Sequence, residues 1–470
     1  MPLKKPAQSY CSIKGMVNGE VKAEELPGAT KLYQNAIAIS WPAAVEAALV
    51  SIGNSIDTAV VGTLGTTAMN AVGITSQPRL IVQCFSLSLN IGVTAVIARY
   101  KGAGDRQGAN RCFRQALLLS LAVSLAPALL AGLFANPLLR LAGASSEFLA
   151  DSIAYFRIML TGLSFYCIGL TICAAQRGVG NTKTSMAANI SANIVKISLA
   201  YCLIGGHFGF PALGLTGAAL AAMLSYLVGF GTALYSVLGR ANYLGLRQGT
   251  GWKFDCAYAG GIIRVGASAL CEQLFSRFGM LIYIRLVSGL GAVAYASYII
   301  CDSVLSVAYS VCNGLSAAAS ALVGQAIGGK RRDLAVVYGG ISRRICCTIS
   351  LAFALVYVLG SHWIVALFSA DPQVIILGSR MMLMVAMVSL IQSYQMIYSG
   401  CLRGGGDTKY VAMLSLVSLA ILRPILSWVL CYPLGLGILG AWLSMLLDQF
   451  GRSVMLRHRF LTGNWVKGQL

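Results

Sequence analysis

Arg177-Gly178-Val179-Gly180-Asn181-Thr182-Lys183 returns 226 residues later as Arg403-Gly404-Gly405-Gly406-Asp407-Thr408-Lys409. The same offset pairs Glu46 with Glu272, Gly53 with Gly279, Leu64-Gly65 with Leu290-Gly291, Ala68 with Ala294, Gly102 with Gly328 and Arg106 with Arg332. Beyond Lys409 the register slips by three, since Gly217-Ala218 matches Gly440-Ala441 at an offset of 223. A solenoid repeats every 20 to 50 residues or so. A period this long marks two similar halves of one protein.

Composition says what the halves are made of. Of the 470 residues 57% are hydrophobic and 11% charged, against about 25% charged in a soluble globule. The chain reads as all-α and polytopic in the membrane. With about 20 apolar residues per span, spans fall near 33–60, 78–98, 115–138, 152–174, 184–205 and 213–238. A second set falls near 265–287, 294–323, 345–368, 381–402, 410–431 and 437–456. This divides the chain into a cytoplasmic tail at 1–32, a six-helix bundle at 33–240, a cytoplasmic linker at 241–264, a second bundle at 265–456 and a cytoplasmic tail at 457–470. The first 30 or so residues carry no apolar core of a cleaved signal.

The net charge of +20 follows topology. The tails and the loops after even-numbered spans hold 26 Lys and Arg, whereas the opposite side holds Arg79, Arg140 and Arg380. Such a bias places both termini in the cytoplasm and gives the basic faces affinity for anionic lipid headgroups. The loops lack the interleaved aromatics of a nucleic-acid surface, so nucleic acid is not an expected partner. Of the 14 cysteines, eleven fall within or beside apolar spans, without a disulfide or zinc spacing. His207, His362 and His458 are scattered. No hydrolase or P-loop signature occurs, so neither an enzyme nor a resident cofactor or metal is expected. Six spans per half, an even number, make the halves parallel repeats related by a pseudo-two-fold along the membrane normal.

The doubled R-G-x-G-[ND]-T-K resembles the loop between the fourth and fifth helices of each half in multidrug and toxic compound extrusion (MATE) transporters. Further matches are Ser51 to Gly62 with Asp57, Pro42 upstream, the glycines around Gly102-Ala103-Gly104, and Gly214-Leu-Thr-Gly-Ala-Ala219. The resemblance implies a secondary active transporter. It would export amphipathic, often cationic organic compounds in exchange for H⁺, less readily Na⁺, by alternating access, acting as a monomer. The compact loops suggest a bacterial inner membrane. A flippase or exporter of an anionic or lipid-linked amphiphile is the second reading, favoured by Lys196, Arg277, Arg285 and Arg423 within spans.

Ionisable residues inside apolar spans are costly and usually functional. Five acids qualify: Glu46, Asp57, Glu272, Asp302 and Asp448. The resemblance implies that Asp57, with Asn54 one turn earlier, binds the coupling ion, and that the first helix bends at Pro42, whose ring frees the carbonyl of Ala38. On the fifth helix the family's Asn and Asp are replaced by Lys196 and Ala200. Lys196 is therefore expected to pair with Asp57 in the space where Na⁺ would sit. Glu272 matches a helix-7 cation-binding glutamate, while the accompanying helix-10 acid appears as Gln392, followed by Gln395. Its bland alternative is a salt bridge to Arg277, Arg285 or Arg423. Asp448 is expected to pair with Arg452 one turn on. Glu46 is expected to meet a cationic substrate, with Tyr283, Gln392, Gln395 and Arg423 lining the cavity.

Overall fold

The computed structural model describes residues 28–62, 64, 66–142, 148–239, 242–246, 252, 254–369, 371–463 and 465. Twelve long helices run through them. Those of the first half are α1 (Ala29–Gly62), α2 (Thr66–Gly102), α3 (Arg106–Leu133), α4 (Leu149–Gly178), α5 (Thr182–Gly205) and α6 (Gly214–Leu238). Those of the second are α7 (Cys256–Ser288), α8 (Ala292–Gly328), α9 (Arg332–Leu359), α10 (Pro372–Gly404), α11 (Thr408–Cys431) and α12 (Gly437–Leu461). Nine of these are long and apolar enough to cross a membrane among the described residues. Charged side chains in the interiors of α7 and α12 offset their apolar character.

The backbone repeats as the sequence does. Gly180 and Gly406, equivalent in the doubled motif, have φ of 90° and 87°, a left-handed turn that favours glycine. Gly214 and Gly437, 223 apart, have φ of 53° and 52°, so the slipped register is structural too. Lys330 takes φ 57° where the first half has Gly104 at 74°. Close helix approaches are also duplicated. A Cβ on Gly178 would stand 2.9 Å from the Thr94 carbonyl oxygen, and one on Gly404 would overlap that of Ser320, its equivalent. Small residues at such crossings let backbones meet, which is how helices pack in lipid.

Contacts group the chain into two units whose borders lie inside helices. One holds Val45–Leu270; the other holds the chain up to Ala44 together with everything from Cys271. The borders fall within α1 and α7, 226 residues apart, so each half's first helix changes unit at the same place. In the first unit Leu89, Ile97, Phe113 and Ile172 pack with Ile262 from the start of α7. In the second, Leu32 and Ala36 from the start of α1 pack with Leu322, Val337 and Ile341. Pro42, buried, lies two residues before the border, within an α1 assigned as helix throughout.

Each motif loop is covered by the segment that follows its own half. Arg106 donates to the carbonyls of Asn242 at 2.6 Å and Tyr243 at 3.2 Å, and Leu244 is buried in the core that Val179 packs against. In the second half Trp465 is 2% exposed, its ring lies against Gly405, and Arg459 donates to Asp407 at 2.7 Å.

Candidate functional site

Glu46 sits in α1 level with the last turn of α4 and the first turns of α5. Its Oε1 accepts hydrogen bonds from Arg177 Nη1 at 3.2 Å, Ser185 Oγ at 2.8 Å and Asn189 Nδ2 at 2.7 Å. Arg177 is the first residue of the repeated motif, placed by the end of α4; Ser185 and Asn189 lie one turn apart on one face of α5. The Arg177 Nη1 also donates to Ser185 Oγ at 2.8 Å, so acid, base and hydroxyl form one closed network.

The second half rebuilds it. Glu272 accepts from Arg403 Nη2 at 2.6 Å and from Ser415 Oγ at 3.2 Å. The sequence separations are identical, 131 residues from acid to arginine and 143 from acid to the fifth-helix donor. At the position matching Ser185 stands Val411, so the second network has one donor fewer. Glu272 is thus salt-bridged, but its partner is the motif arginine Arg403 rather than Arg277, Arg285 or Arg423.

A further charge cluster belongs to the second half. Asp448 is fully buried and takes both Nε (3.0 Å) and Nη2 (2.5 Å) of Arg423, together with Nη2 of Arg452 at 3.0 Å. Ser418 donates to its other oxygen. The i,i+4 partner expected for Asp448 is present, and Arg423 joins it. Ser418 lies in Leu416–Leu422, where α11 widens into a π-helix just before Arg423-Pro424. Pro424 has no N–H to offer the preceding turn, and the Arg423 N–H reaches back to the Ser418 carbonyl instead. Such π segments recur at functional sites. Asp302 on α8 lies within electrostatic reach of Arg423.

Tyr283 is fully buried in the core of the second bundle and donates to the Ala441 carbonyl at 2.9 Å, with the Arg423 guanidinium 5.9 Å from its ring centroid. Gln392 and Gln395 are buried on α10. Arg277 and Arg285 are exposed on α7, and Lys196 is half-buried on α5. The side chains of Asn54 and Asp57 lie outside the described residues, and with them the expected pairing of Asp57 with Lys196. What reasoning from sequence missed is the role of Arg177 and Arg403. Their signal was present: acid and arginine recur together in the same 226-residue register.

The family model described as MatE matches residues 42–202 and 269–429. The protein belongs to the multidrug and toxic compound extrusion family. The two matched stretches begin 227 residues apart, within one residue of the internal repeat. Among curated relatives, a "Probable multidrug resistance protein NorM" of Thermotoga maritima is 28% identical over 94% of this chain and 95% of its own length. An "Uncharacterized transporter YisQ" of Bacillus subtilis is 24% identical over 91% and 94%. Among solved structures, an outward-facing MATE transporter of the MOP superfamily superposes with a TM-score of 0.85 at 20% identity, covering 91% of this chain and 96% of its own. A MOP superfamily transporter of Pyrococcus furiosus, described as having a binding pocket of reverse polarity, gives 0.84 at 21% identity with the same coverage. This MATE chain is therefore an integral membrane transporter of the drug-exporting family.

Proposed function

We propose that the protein exports amphipathic, often cationic organic compounds in exchange for H⁺ by alternating access, from a bacterial inner membrane with both termini in the cytoplasm. The observation that carries this is the duplicated acid–arginine network: an acid inside the first span of each half, where such a group is costly and usually functional, paired with the arginine that opens the motif loop. The Arg177 and Arg403 guanidiniums oppose any further cation at these acids while the ion pairs hold. H⁺ is the proposed ion because a proton needs one carboxyl oxygen only, whereas Na⁺ would need several oxygen ligands. Asp57 with Asn54, Lys196 and the bend at Pro42 belong to the proposed cycle on the family resemblance.

Proteoliposomes loaded with a cationic dye test the reading under separately imposed pH and Na⁺ gradients. Dye movement driven by the pH gradient alone is expected; movement driven only by Na⁺ would overturn the choice of ion. The exposed Arg277 and Arg285 on α7 favour a second reading, transport of an anionic or lipid-linked amphiphile. In the same vesicles, transport of an anionic dye with no movement of cationic dye under either gradient would put that reading first.

A further inference from the structure

Glu46 is buried, with 8% of its surface exposed, yet its two oxygens are treated unequally. Oε1 holds all three donors, Arg177, Ser185 and Asn189. Oε2 is buried and has no hydrogen-bond partner among the described residues. A buried anionic oxygen without a donor is costly, and native structures seldom leave one without a reason. A carboxyl group that gains a proton becomes a donor at one oxygen and keeps acceptor capacity at the other. A proton can therefore bind Oε2 without displacing any of the three existing bonds.

We propose that Glu46 Oε2 is a proton-binding site of the first half, held ready by Arg177 as a positioning residue and separate from Asp57. Asp57 lies eleven residues further along α1, about 16 Å at 1.5 Å per residue. The step is an acid–base one: an O–H bond forms at Oε2 with a proton from water, and the carboxylate loses its charge. The bond from Arg177 to Oε1 then ceases to be an ion pair, and charge-assisted bonds are roughly twice as strong as neutral ones. Proton binding thus loosens the link between α1 and the corner formed by α4 and α5.

The groups around this carboxyl come from α4, α5 and α2. The end of α4 contributes Arg177; Tyr166 and Cys173, also on α4, lie within electrostatic reach. The first turns of α5 contribute Ser185 and Asn189. Arg79 of α2 shares the surroundings of Tyr166. With Arg177 at 3.2 Å from Oε1 and the α5 groups used as donors, the described atoms give a metal cation no shell of oxygens. The occupant that fits is H⁺.

This inference rests on the proton-coupled reading but is tested apart from transport. Infrared pH-difference spectra of the purified full-length protein in detergent, without dye, would be compared for wild type, Glu46→Gln, Glu272→Gln and Arg177→Lys. A protonated-carboxyl band that appears on acidification, is missing in Glu46→Gln, persists in Glu272→Gln and titrates with a shifted midpoint in Arg177→Lys is expected. If Glu46→Gln fails to fold, Glu46→Asp serves in its place and must move that band in frequency. A spectrum unaltered by substitution at position 46, or a band abolished by Na⁺ at constant pH, overturns the proposal. Should the band behave as expected while no pH gradient drives transport, the proton site stands and the proton-coupled reading falls.

Discussion

The two halves answer one problem, a carboxylate inside an apolar bundle, in two ways. In the first half Glu46 gathers three donors on one oxygen and leaves the other bare. In the second, Glu272 likewise takes its two donors on Oε1, and a separate acid, Asp448, is closed in by two arginines and a serine. At the positions matching Asp448 and Arg452 the first half has Ser225 and Gly229, so the bundle can be built without those charges. Duplication supplied a common frame with an acid–arginine bolt in each copy. Divergence then left one copy with the second oxygen of Glu46 buried and without a donor and gave the other an added cluster around Asp448. A carboxylate with donors on both oxygens suits structure, and one with a buried oxygen that has no donor suits exchange.

The sharpest way to break this contrast is Asp448→Ala. It strands Arg423 and Arg452 together in the core, and removing one partner of a buried ion pair costs about 3–5 kcal/mol. A large fall in melting temperature in detergent is expected, larger than for Glu46→Gln. Equal effects would mean that the cluster is no more structural than the first-half site. Next come the shared crossings. Gly178→Val and Gly404→Val each force a side chain onto the carbonyl of a neighbouring helix, and such overpacking costs about 1–3 kcal/mol. Both should melt earlier and by similar amounts; a large difference would show that the halves are not built on one frame at this contact.

The smallest expected effect lies at the start of α9. Burial opposes ionisation of Asp333, but hydrogen bonds from Arg331 and from the N–H of Leu334 outweigh it and hold the carboxyl below the ordinary aspartate range. A depressed folded-state value stabilises above the unfolded value and loses that contribution as pH falls through the folded one. Asp333→Asn should therefore lower the melting temperature slightly at neutral pH and not at all in strong acid. The first half has Gln107 there, and Gln107→Asp melted across the same pH range would show whether that end of the first bundle can use the same charge.

Much of the frame could be read from residue order. The 226-residue register named several of the glycines that take left-handed or close-contact roles, Gly178, Gly180, Gly404 and Gly406 among them, and the slip to 223 reappears in the φ angles of Gly214 and Gly437. The Asp448–Arg452 pair was legible because i and i+4 are neighbours on any helix. Arg423 was not legible as its second partner: a π-helical widening shifts the phase of α11, and a 3.6-residue period does not anticipate that. Nor was the burial of Tyr283, since an aromatic residue in an apolar span is equally at home in a cavity wall and in a core.

Sequence by itself determined that the protein is a duplicated, twelve-span membrane chain and which residues recur in both copies. These follow from composition and periodicity, which are properties of residue order. Tertiary structure alone decided which base meets which acid where the two lie far apart in the chain. Glu46 and Arg177 are 131 residues apart, and only the packing of α1 against the corner of α4 and α5 brings them together, with three donors on one oxygen and none on the other.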